Sequence, residues 1–138
     1  MIVPRALILA LFVAAAGCRS RTREDARNVA LAFEAFEQAS TDDRLPALES
    51  LRSAKCEEPS TCADRDVCVE YGAALMRARE LTDKARAFGP EDAGGNGVAT
   101  PTERTRILQG AEEALDLAES LSPKCQDALR RLHERAAS

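Results

Sequence analysis

Tryptophan is missing from this 138-residue chain, which holds one tyrosine, four phenylalanines and a single histidine, His133. An aromatic share of 4% and few β-branched residues leave little with which to fill a β-sandwich or barrel. One imidazole excludes a zinc site built from several histidines. Neither C-x-x-C nor C-x-x-C-H occurs, so no thioredoxin-type or c-type haem motif is present. G-x-S-x-G is absent, and no Gly-Lys-Ser/Thr ending is available to cradle a phosphate. There is no excess of basic charge either. Nineteen Lys and Arg stand against 23 Asp and Glu, a formal net charge of −4, which does not indicate a nucleic-acid partner.

With 45% apolar and 30% charged residues, the chain is neither a polytopic membrane protein nor a disordered tail. Ala, Leu, Arg and Glu dominate, and these are helix formers. The length fits one domain. The expected class is all-α: a small disulfide-braced bundle of about five helices after a cleaved signal peptide.

At the N-terminus Arg5 precedes an apolar run from Ala6 to Ala16 that ends in small residues. This is the layout of a secretory signal peptide, and the run is short for a bilayer span. Ala15-Ala16-Gly17 before Cys18 resembles the lipobox of bacterial lipoproteins, with Ala15 where Leu is usual. That resemblance implies a diacylglycerol thioether on Cys18, cleavage before it, and acylation of the new terminus. Several acyl chains on one residue anchor stably, where one would be marginal. Arg19, rather than Asp, follows the cysteine, which for such lipoproteins implies the outer membrane, here on its periplasmic face. The organisation expected is signal peptide 1–17, lipidated tether 18–23 and a single helical domain 24–138. No family is suggested for the mature domain.

Cys56, Cys62, Cys68 and Cys125 remain. Four cysteines in an exported small domain indicate two disulfides, with three possible pairings. The C-x5-C-x5-C spacing suits zinc poorly. Cys56–Cys62 with Cys68–Cys125 is the favoured pairing, because Cys68 and Cys125 both border inward-facing stripes.

Helical periodicity predicts a first helix over 24–39, with Phe33 and Phe36 inward, and a short second one over 44–53. CEEPSTC, from Cys56 to Cys62, reads as a loop. Val67, Tyr71, Ala74, Ala78, Leu81, Ala85 and Phe88 form a heptad-like stripe on a third helix, ended by Gly89-Pro90. A glycine-rich loop fills 89–100. Thr100-Pro101-Thr102-Glu103 then looks like a capping box. A fourth helix follows, with Ile107, Leu108, Ala111, Ala114, Leu115, Ala118 and Leu121 expected on its inner side, and Ser122-Pro123 is expected to restart the chain as a fifth. Ala111, Leu115, Ala118 and Pro123 resemble the second helix of a tetratricopeptide repeat over about half a unit, which suggests a helical-hairpin docking surface.

No nucleophile–base pair can be named. His133 reads as a surface or helix-end residue, and Glu57-Glu58, Glu112-Glu113 and Asp42-Asp43 as solvated charges or a helix start. The chain is therefore expected not to be an enzyme, with no metal and no cofactor. Its expected role is a non-catalytic binding or assembly module, held to the membrane by its lipid anchor and meeting a protein partner in the envelope. The alternative is a periplasmic small-ligand or metal-responsive sensor closed by the 89–100 linker.

Overall fold

The computed structural model describes residues 6–88 and 101–138, with side chains from residues 19 to 88 and 102 to 138. The predicted glycine-rich loop at 89–100 and the side chain of Cys18 lie outside the described residues. Within them every regular element is an α-helix, as the composition favours. The elements are α1 (Ala6–Gln38), α2 (Arg44–Ser53), α3 (Pro59–Ala87) and α4 (Pro101–Ala137).

Four helices stand where five were expected, because α4 runs straight through Pro123. A proline inside a helix removes one ladder hydrogen bond and costs about 3 kcal/mol. Here it sits on the solvent side, where its ring meets no packed neighbour. The buried stripe of Ala118, Leu121, Cys125, Ala128 and Leu132 continues past it unbroken, and that burial outweighs the lost bond.

Two boundaries also differ from expectation. Helix α1 begins at Ala6, not Glu24, since the Ala- and Leu-rich run is itself strongly helix-forming and no proline interrupts it. The predicted tether at 18–23 is thus helical, with Arg19, Arg21 and Arg23 exposed. Helix α3 begins at Pro59, inside the expected 56–62 loop. Proline at the first helical position sacrifices no bond, and the Cys62 N–H already donates to the Glu58 carbonyl at 3.0 Å.

Helices α3 and α4 form a long antiparallel hairpin. Asp64 meets Arg131, Cys68 meets Cys125, and Gly110 lies opposite Leu81, so positions ascend on one helix as they descend on the other. Helix α1 runs parallel to α3. The Asp25 carboxylate accepts the Glu57 N–H at 2.9 Å at one end, and further along Phe33 packs on Tyr71 with ring centroids 6.3 Å apart. Helix α2 folds back between them, and Arg65 ties its end to α3 by donating to the Ala54 carbonyl at 2.9 Å.

The core divides into two zones. Around α1 and α2 it holds the large side chains Val29, Phe33, Phe36, Leu48, Leu51 and Leu132, with both buried cysteines. Beyond the end of α1 the hairpin continues alone, and its seam is mostly alanine: Ala74, Ala78 and Ala85 against Ala111, Ala114 and Ala118. Small side chains let two helices approach closely but bury little apolar area.

Gly72 lies where α3 meets both α1 and α2. A Cβ there would stand 2.8 Å from Leu48 Cδ1 and 3.1 Å from Phe36 Cζ, both in the packed core. Alanine would gain about 1 kcal/mol of helix propensity but overpack the core by about 1–3 kcal/mol. Gly72→Ala is therefore expected to lower unfolding stability by roughly 1 kcal/mol. A higher urea midpoint for the variant would contradict the close approach.

Candidate functional site

Two regions of the molecule are built differently from a plain bundle: a braced base, where α3 begins and α4 ends, and a bare face on the projecting hairpin. The base holds all four candidate disulfide cysteines. Cys56 bonds Cys62 with sulfurs 2.05 Å apart, and Cys68 bonds Cys125 at 2.00 Å. The favoured pairing is thus the one found. With α4 unbroken, the segment after Pro123 runs antiparallel to α3, and Cys68 and Cys125 meet through the register of that hairpin.

Beside the second bridge lies a charge cluster that sequence reasoning missed. Asp64 is buried, and its carboxylate accepts from two arginines of α4. Arg131 donates through Nη2 at 2.6 Å and Nε at 3.1 Å, and Arg135 Nη2 reaches the other oxygen. Arg135 also donates to the fully buried Thr61 hydroxyl at 3.2 Å. The carboxylate beside it holds Arg131 above the ordinary guanidinium range, chiefly through that hydrogen bond. By sequence position alone Asp64 is a carboxylate near a helix start, where it suits the helix dipole, and Arg131 is one of several arginines on α4. The usable signal was Arg131 and Arg135 at i and i+4, which share a helix face.

Several other arginines pair with acids along their own helices. Arg77 pairs with Glu80, Arg79 and Arg86 flank Asp83, and Arg130 lies between Asp127 and Glu134. Glu57, one of the adjacent carboxylates, pairs with Lys55 at 2.8 Å. The hydrogen bond between them pushes the lysine up and the glutamate down from their ordinary values. Both are solvent-exposed, so the pair contributes little to stability.

His133 sits at an open cleft of about 510 Å³ between α1 and α4, with Nε2 3.7 Å from Glu34 Oε1. Phe33 and Leu129 line its floor, and Glu37 and Glu134 its walls. The geometry offers His133 a carboxylate but no nucleophile. Tyr71 packs against Phe33 at the edge of the core, while Phe88 is half-buried at the end of α3. Among the described residues, no group of three or more His, Cys, Asp or Glu is placed to hold a metal ion. Nor is any helix among them long and apolar enough to cross a membrane.

The second region is the outer half of the hairpin. Helix α1 ends at Gln38, its last turn lying against Gln126. On the helical wheel, Leu108 and Leu115 follow the same face of α4 that Gln126, Leu129 and His133 turn toward α1 lower down. Past the end of α1 no described residue covers that face, so Leu108 and Leu115, expected on the inner side of the fourth helix, are instead 45% exposed, while Ala111, Ala114, Ala118 and Leu121 do face inward. No known family, curated protein or solved structure matches this chain.

The two bridges differ in what their loss should cost. Cys68–Cys125 closes a loop of 57 residues and Cys56–Cys62 one of 6. Chain entropy assigns them about 4 and about 2 kcal/mol respectively. Replacing Cys68 and Cys125 by serine should therefore lower the urea midpoint more than replacing Cys56 and Cys62, and the reverse order would contradict this. Asp64→Asn should cost roughly 2 kcal/mol, between the values for exposed and buried pairs because Arg131 remains half-exposed. Equilibrium unfolding checks it, and an unchanged midpoint would show the cluster to be idle.

Proposed function

We propose that this chain is a lipid-anchored module of a bacterial envelope, acting by binding or assembly rather than by catalysis. Cys18 carries the lipid and holds the domain at the periplasmic face of the outer membrane. The lipobox-like Ala15-Ala16-Gly17-Cys18 supports the anchor, and two disulfides are in keeping with an oxidising compartment.

One observation carries the docking reading. The outer half of the α3–α4 hairpin leaves Leu108 and Leu115 exposed in line on the α4 face that α1 covers lower down. Apolar residues aligned in this way on a helix suit recognition by another helix, which reads them at i and i+7. The large-residue core and both disulfides lie at the opposite end, so that face can be occupied without repacking the domain.

The anchor is tested by fractionating cells that express Cys18→Ala. The variant is expected to leave the membrane fraction and lose incorporation of labelled palmitate. Full retention in the membrane with no label in either form would overturn the lipid-anchor reading.

A further inference from the structure

We propose that the bare face of α4 pairs antiparallel with the same face of a second copy of this chain. The inference rests on the docking reading above and names its partner. The stripe along that face is Arg104, Leu108, Glu112, Leu115 and Glu119, and its two leucines and two end charges are symmetric about the peptide joining Ala111 to Glu112. Leu108 and Leu115 lie equally far on either side of that point, and so do Arg104 and Glu119. In an antiparallel pair with its two-fold axis there, Leu108 meets the partner's Leu115, and Arg104 meets the partner's Glu119. Both contacts occur twice, as a two-fold interface requires. A parallel pair would instead set Arg104 against Arg104 and Glu119 against Glu119.

Among the described residues, neither Arg104 nor Glu119 makes an ion pair. Arg104 has Leu108 four residues on and Ile107 three on, so its own helix offers it no acid at those spacings. Its Nε is shielded from solvent and hydrogen-bonds to nothing among the described residues. Glu119 has Leu115 and Asp116 before it and Ser122 and Pro123 after it, and so no base. Four other arginines of the hairpin, Arg77, Arg79, Arg86 and Arg130, do find an acid along their own helix. The partner helix would enter just beyond the last turn of α1, at the level of Gln126, and continue its line along α4. The segment from 101 to 122 spans about 33 Å. Such a seam is smaller than a standard interface, so the pair is weak in solution and favoured where tethering concentrates the copies.

The test is sedimentation of the full chain in density-matched detergent, across a range of protein-to-detergent ratios. A concentration-dependent dimer is expected. Arg104→Glu alone and Glu119→Arg alone should each weaken it by roughly tenfold or more, since each turns two attractions into two repulsions. Mixing these two single variants should restore the dimer, because each then supplies the charge the other needs. Leu108, Leu115 and Glu119 are exposed and Arg104 is half-buried, and an unchanged melting temperature of each variant checks that folding is intact.

A chain that stays monomeric, or a mixture that fails to recover, overturns the self-pairing. In that event Leu108→Ser/Leu115→Ser separates the two claims. Loss of a stoichiometric envelope protein from the purified complex would leave docking standing with a different partner. No change in what co-purifies would overturn docking as well.

Discussion

The bond between Cys68 and Cys125 fixes how far α3 is slid along α4, and much of what the molecule presents follows from that register. With those two positions joined, Asp64 falls beside Arg131 and Arg135, and Gly110 beside Leu81. A seam of alanines could not specify its register unaided. Ala against Ala is much the same contact one turn up or down, and each such pair buries little area. The covalent link and the buried carboxylate supply the discrimination that the side chains of the seam lack.

The same register decides what is left uncovered. Helix α1 stops at Gln38, well short of the hairpin tip, so the lower half of α4 is packed on two sides and the upper half on one. Stability is therefore uneven along the molecule. The base has large side chains, two disulfides and the Asp64 cluster, while the projecting half depends on alanine packing and helix propensity. An element built in this way gains most when another helix completes it.

Much of this was legible from residue types alone. Phe33 and Phe36 read as core and are fully buried, the short second helix spans 44–53 as periodicity predicted, and the disulfide pairing came out as favoured. The failures share a cause: local punctuation was read without its tertiary setting. Pro123 is a helix breaker by propensity, yet it faces solvent on a helix whose inner stripe continues past it. Pro59 read as part of a loop and instead opens α3. Asp64 fitted a helix-start role that its sequence neighbours make reasonable, whereas its partners stand 67 and 71 residues away.

By itself the sequence determined the helical class, the inward faces of the first and third helices, the candidate anchor cysteine and the four thiols available for two disulfides, because periodicity, composition and spacing are local properties. Only the tertiary structure decided that α4 is one helix, that Asp64 is buried between two arginines, and that α1 ends early enough to leave Leu108 and Leu115 bare. Those outcomes depend on how far one helix is offset along another. That offset is set by contacts between residues far apart in the chain, which no local pattern records.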